Sequence, residues 1–82
     1  MISYLIMCRT QSQAYRIANL VVQAGYYAKV MRPPAEVSEG GCSYAVKVPE
    51  RQISEILALL NSNGIERGKV YLYRPDGSVA DA

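Results

Sequence analysis

Two stretches with helical spacing of apolar residues, each ended by a glycine, constrain the fold more than any other feature of the sequence. The first begins after Thr10, which has Gln13 three residues further on in a capping-box pattern, and it ends at Gly25. The second covers residues 49–64 and opens on a Pro-Glu pair, which suits the first turn of a helix. The chain therefore contains two short helices with defined ends.

Four short apolar segments flank and separate these helices, and their alternation predicts strands. The predicted strands cover residues 2–8, 26–31, 42–48 and 69–73. The resulting order, βαββαβ, favours an α+β ferredoxin-like two-layer sandwich, with an antiparallel four-stranded sheet and both helices on one face. We expect a single domain over residues 1–75, because 82 residues suit one core, and a flexible C-terminal tail over 76–82.

The composition narrows the classes of function. A net charge of +2 does not indicate a nucleic-acid partner or an anionic membrane surface. No apolar run approaches the ~20 residues of a membrane helix, and residues 1–7 lack the features of a signal peptide, so we expect a cytoplasmic protein. With no histidine and only two cysteines, the chain alone cannot build the usual four-ligand zinc site, so we expect no metal.

The two cysteines, Cys8 and Cys42, are the residues with reactive chemistry. In the predicted topology the first and third strands are antiparallel neighbours, so the end of one lies beside the start of the other. Directly opposed residues in such a pair lie roughly 4.5–5.5 Å apart at Cα, within the range of about 4.4–6.8 Å that disulfides use. We therefore expect the two sulfurs to be able to bond or to exchange an oxidation state.

The same edge of the predicted sheet should favour a thiolate. The first helix begins there, and its partial positive charge adds to that of basic residues at element ends, which lowers the pKa of a nearby thiol. The loop 32–41 could open and close over the thiol. The predicted site comprises the nucleophile Cys42, the resolving thiol Cys8, the thiolate-stabilising residues Arg9, Thr10 and Arg32, further cations Arg67 and Lys69, and the loop residues Gly40 and Gly41.

A plainer interpretation of these residues stays open. Free cysteines are among the most buried residue types and often act as small hydrophobic residues, so both thiols could belong to the core. The arginines could be solvated surface residues, and the glycine pair could only shape a turn.

Several motifs are similar to those of a known family. They are Arg9-Thr10-Gln11 after the first strand, the helix end Val22-Gln23-Ala24-Gly25, the segment Val30-Met31-Arg32-Pro33-Pro34, the approach Val37-Ser38-Glu39-Gly40-Gly41-Cys42, and the apolar strand 44–48. On these residues the chain resembles, over about residues 4–73, a family of small bacterial proteins described as selenium/sulfur carriers. The family tends to have glycine after its cysteine, where this sequence has Ser43, and Cys8 is not part of its pattern.

The resemblance implies that Cys42 holds sulfur or selenium as a persulfide or perselenide and passes it on. Such a carrier needs donor and acceptor proteins, no organic cofactor and no enzymatic turnover of its own. The alternative is a non-catalytic interaction or regulatory module that associates, for example as a homodimer, through the sheet face opposite the helices. The residues expected on that face are Leu5, Met7, Ala45, Tyr71 and Tyr73. RNA binding by the two tyrosines is disfavoured because the RNP pattern is missing and the basic excess is slight.

Overall fold

The computed structural model describes residues 2–37 and 44–82, and it shows an α+β fold of two helices and one antiparallel sheet. The strands are β1 (Ser3–Cys8), β2 (Lys29–Met31), β3 (Tyr44–Pro49), β4 (Val70–Tyr73) and β5 (Val79–Asp81). The helices are α1 (Gln11–Gln23) and α2 (Ile53–Ser62), and single 3₁₀ turns cover Ala35–Val37 and Glu50–Gln52.

The sheet has five strands, in the order β2-β3-β1-β4-β5, and every neighbouring pair is antiparallel. β1 lies at the centre between β3 and β4, so the predicted antiparallel pairing of the first and third strands is confirmed. The predicted count of four strands is wrong, because residues 79–81, assigned to the C-terminal tail, pair with β4.

The turn between β4 and β5 explains the fifth strand. The Asp76 carboxylate accepts the backbone N–H of Ser78 at 2.9 Å, and Gly77 adopts a φ of +88°. The backbone N–H of Arg74 then donates to the Ser78 carbonyl at 2.9 Å, which closes a hairpin. A three-residue strand has too little apolar alternation to be recognised in the sequence, whereas the turn residues that pair it with β4 are visible there.

Both helices end as the sequence predicts. At the end of α1, Gly25 has a φ of +93°, and the N–H of Tyr26 donates to the Val21 carbonyl at 3.1 Å. At the end of α2, Gly64 has a φ of +63°, and the N–H of Ile65 donates to the Leu60 carbonyl at 3.0 Å. These six-to-one hydrogen bonds define Schellman motifs, which favour glycine because the position is left-handed.

Apolar side chains fill the space on both sides of the sheet. The core between sheet and helices comprises Ile6, Cys8, Ala14, Ile17, Ala18, Val21, Val46, Val48, Ile56 and Leu60. On the opposite side, a second cluster comprises Leu5, Met7 and Ala45, against which Met31, Val37, Tyr71, Tyr73 and Val79 pack. Burial on both sides explains why consecutive residues of β1 are apolar. It also corrects the expectation of an open apolar face, since the centre of that face is buried within the chain.

Both described helices are short. They have 13 and 10 residues, and neither is long and apolar enough to cross a membrane.

Candidate functional site

The predicted site lies where β1 ends and α1 begins. Cys8 is the last residue of β1, and its side chain has no exposed surface. Its Sγ lies 3.6 Å from the carbonyl oxygen of Ile6, which it faces as a weak donor, within the core between sheet and helices. This burial favours the interpretation of Cys8 as a core residue over that of a solvent-accessible resolving thiol.

The register of β1 against β3 decides which residue faces Cys8. The Cα partner of Cys8 is Tyr44, which lies two residues after Cys42 in the sequence. The expectation that Cys8 and Cys42 are directly opposed is therefore wrong. The first strand ends where predicted, but the sequence pattern alone does not fix which residue of the third strand lies opposite it. Cys42 itself lies outside the described residues, as do the loop residues Gly40 and Gly41.

Thr10 caps α1 as predicted. Its Oγ1 accepts the backbone N–H of Gln13 at 3.1 Å, which satisfies one of the free donors of the first turn. The Gln13 side chain returns a second bond, because its Oε1 accepts the backbone N–H of Arg9 at 2.9 Å. This second hydrogen bond therefore involves Arg9, the residue before the cap Thr10. It fixes the backbone immediately after Cys8.

Three hydrogen bonds to the connection between α2 and β4 were not predicted. Gln13 Nε2 donates to the carbonyl oxygen of Glu66 at 2.9 Å. Gly68 donates its N–H to the Met7 carbonyl at 2.7 Å, and Met7 donates its own N–H to the Lys69 carbonyl at 3.0 Å. These bonds hold residues 66–69 against the end of β1. All three join residues that are distant in the sequence, and no local pattern predicts such pairs.

The directions of the strands place the predicted basic residues at the edge of the sheet where β1 ends. Arg9 follows β1, while Arg67 and Lys69 precede β4, which runs antiparallel to β1. Arg32 follows β2, and its guanidinium carbon lies 5.8 Å from the ring centroid of Tyr44, the partner of Cys8. All four side chains belong to exposed residues. The edge is therefore rich in positive charge, which favours bound anions and ionised thiols.

An open cavity of ≈ 600 Å³ lies beside the start of α1. Its lining residues are Arg9, Thr10, Ser12, Gln13, Arg16, Gly64, Ile65 and Glu66. Two guanidinium groups and one carboxylate thus share a polar surface depression. Across residues 2–37 and 44–82, no group of three or more histidine, cysteine, aspartate or glutamate residues is arranged to hold a metal ion.

Comparison with known proteins identifies the family. Residues 3–72 match the family described as "Putative Se/S carrier protein-like". The chain belongs to this Se/S carrier-like family. The match confirms the resemblance noted in the sequence. It runs from the start of β1 into β4, and it includes both cysteine positions and the cation-rich edge. The strand β5 lies beyond the matched residues. No curated protein and no solved structure matches the chain.

Proposed function

We propose that this Se/S carrier-like protein holds sulfur or selenium on Cys42 and transfers it between two proteins. In the loading step the Cys42 thiolate attacks the outer sulfur of a donor persulfide, R–S–SH. A bond forms between Cys42 Sγ and the outer sulfur, the donor S–S bond breaks, and its electron pair leaves with the donor thiolate. The transferred sulfur keeps its proton, and no net oxidation occurs. Attack by an acceptor nucleophile on the terminal sulfur or selenium releases the Cys42 thiolate again.

Family membership is the observation that carries this proposal. The match to the Se/S carrier-like family extends over residues 3–72 and includes the position of Cys42. In the sequence Cys42 stands two residues before Tyr44, where β3 begins at the cation-rich edge. Positive charge near a thiol lowers its pKa, and the thiolate is the nucleophile.

The described residues take supporting roles in this proposal. Arg9 and Arg32 stabilise the Cys42 thiolate and the persulfide anion, and Thr10 caps α1 directly after Arg9. We assign Cys8 to the core, because its side chain has no exposed surface.

We infer a ferredoxin-like arrangement for β1 to β4, with β5 added at the sheet edge. Because thiol chemistry of this kind needs a reducing compartment, we place the protein in the cytoplasm. A homodimer through the sheet face remains the alternative assembly, although the apolar centre of that face is already buried within the chain.

Loading by a small-molecule donor tests the carrier function without a partner protein. Wild-type protein is incubated with glutathione persulfide or its selenium analogue, and the adduct is located by mass spectrometry of non-reduced peptides. We expect one added sulfur or selenium on the peptide containing Cys42, and none in Cys42→Ser. Loading of Cys42→Ser to the wild-type level, or no loading of the wild type, would contradict the proposal and leave a non-covalent interaction module.

A charge series tests the supporting roles. Arg9→Gln and Arg32→Gln should each slow alkylation of Cys42 at neutral pH, because less of the thiol is ionised. Arg51→Gln is the matched control, since Arg51 is exposed and lies in the 3₁₀ turn after Pro49, at the opposite end of the sheet. An equal effect of all three variants would show that only net charge matters.

A further inference from the structure

All three lysines of the chain lie on one face of the sheet, the face opposite the helices. Lys47 is two residues from Ala45, and Lys29 is two residues from Met31, so each shares the face of that neighbour in the second cluster. Lys69 extends the same alternation before Tyr71, and its Nζ lies 5.8 Å from the Tyr71 ring centroid. We call the surface formed by Lys29, Lys47, Lys69, Tyr71 and Tyr73 the lysine–tyrosine face.

Two of these lysines are placed against each other. Lys29 and Lys47 are direct Cα partners in the antiparallel pairing of β2 with β3. Like charges in directly opposed positions destabilise a sheet. Natural sequences keep such locally unfavourable arrangements mainly where function requires them.

The carboxylate available on the same row of the sheet is too distant to neutralise this pair. The row continues from Lys47 through Leu5 and Tyr71 to Asp81. Three strand spacings of about 4.8 Å separate Lys47 from Asp81, or about 14 Å, which exceeds the Debye length of about 10 Å in 0.1 M salt. Within this row, therefore, no carboxylate neutralises the Lys29–Lys47 pair.

The tyrosines of the face are partly buried and carry lysine ammonium groups over their rings. Lys47 Nζ lies 5.7 Å from the Tyr73 ring centroid, and Lys69 is placed similarly over Tyr71. These cation–π contacts hold the ammonium groups beside the aromatic surface. They also occupy the ring faces on which nucleic-acid bases would stack, so the arrangement favours a protein partner over RNA.

We propose that the lysine–tyrosine face docks an acidic surface of the donor or acceptor protein, an inference that rests on the carrier function proposed for Cys42. Charge complementarity identifies this occupant, because lysine ammonium groups beside partly buried tyrosines match a carboxylate-rich surface. A second copy of the chain is a weaker candidate, since an isologous interface would bring two lysine-bearing faces together.

Binding of a short fluorescent polyglutamate peptide, measured by anisotropy, tests the docking surface. We expect salt-sensitive binding to the wild type and about a tenfold higher Kd for Lys29→Gln/Lys47→Gln, since exposed charge contacts are individually weak. Arg16→Gln/Arg51→Gln removes the same charge from exposed residues of the helical layer and should leave the Kd within about twofold. Bound peptide should also protect the lysine amines from acetylation.

Absence of peptide binding, or an equal loss of peptide affinity in both double variants, would overturn the proposal. So would preferential binding of an oligothymidylate of matched charge. Self-association of the wild type that the lysine changes abolish would also overturn it. Glutathione persulfide loading of the lysine variant separates this proposal from the carrier function. Normal loading with weakened peptide binding supports docking by this face. Failure of the wild type to load would remove the carrier function, whatever the peptide result.

Discussion

Gly68 donates its backbone N–H to the carbonyl oxygen of Met7 at 2.7 Å, and a Cβ at Gly68 would lie 2.9 Å from that same oxygen. The Met7 Cβ would be only 3.1 Å away. The neighbouring atoms are mainly backbone of the central strand, which cannot move aside cheaply. A glycine is therefore required where the connection from α2 joins the end of β1, one residue before Cys8.

Gly68→Ala should destabilise the protein by about 1–3 kcal/mol, as overpacking usually does. The free energy of unfolding would be measured in urea, and hydrogen exchange would report the Met7 amide. Gly64→Ala is the comparison, since its Cβ would meet nothing within 4 Å and only its φ of +63° opposes a side chain. It should cost about 1–2 kcal/mol and leave the Met7 amide protected. Unchanged Met7 protection in Gly68→Ala would contradict the steric argument.

Thr10→Ala should cost about 1 kcal/mol, because Thr10 Oγ1 accepts the N–H of Gln13 at the start of α1. Ser12→Ala is the matched control, because Ser12 is an exposed residue in the first turn of α1 and its substitution also removes a hydroxyl group. Thermal unfolding would compare the two variants. Equal losses would show that the Thr10 hydroxyl is not the cap that matters.

Lys29→Glu should stabilise the protein by about 0.2–1 kcal/mol, because it converts the like-charged pair with Lys47 into an opposite-charged one. The gain should shrink in high salt, which screens exposed charges. Lys69→Glu is the comparison, since the register gives Lys69 no directly opposed lysine. A loss of stability in Lys29→Glu would mean that the two lysines do not repel each other in the folded chain.

The helices and their ends were predictable because their signals are local. The signals act within one helical turn. They are the capping Thr10 with Gln13 three residues further on, and the glycine in the left-handed region at Gly25. The antiparallel pairing of the first and third strands also followed from topology. The register did not, because a strand pattern of period two is unchanged by a slip of two residues, so Tyr44 rather than Cys42 faces Cys8.

The candidate site was predictable only in part. Charges at strand ends could be assigned to one edge once the strand order was known, and Arg9 and Arg32 lie there. The bond from Gln13 to Glu66 and the close approach of Gly68 to Met7 join segments more than fifty residues apart. Such contacts depend on how the layers pack, which no local pattern records. The position of Cys42 remains a prediction from the sequence and the family.

Acid should weaken the β4–β5 hairpin through Asp76. The hydroxyl of Ser78, and then its backbone N–H, hold the pKa of Asp76 below its ordinary value. A lowered folded pKa means that the stabilisation is present above the unfolded pKa and is lost as the pH falls through the folded one. Asp76→Asn keeps an acceptor but cannot ionise, so its stability deficit relative to the wild type should vanish in acid. A deficit that is independent of pH in unfolding experiments would refute this role.

Cys8 should resist alkylation in the folded protein, because its side chain has no exposed surface and lies in the core between sheet and helices. Under reducing conditions, iodoacetamide should modify Cys8 only at the rate at which the core opens, and rapidly once urea unfolds the chain. Peptide mass spectrometry would follow Cys8 and Cys42 separately in the same sample. If global unfolding controls the modification of Cys8, the stabilising variant Lys29→Glu should slow that modification further. Rapid modification of Cys8 in the native state would instead favour Cys8 as a resolving thiol.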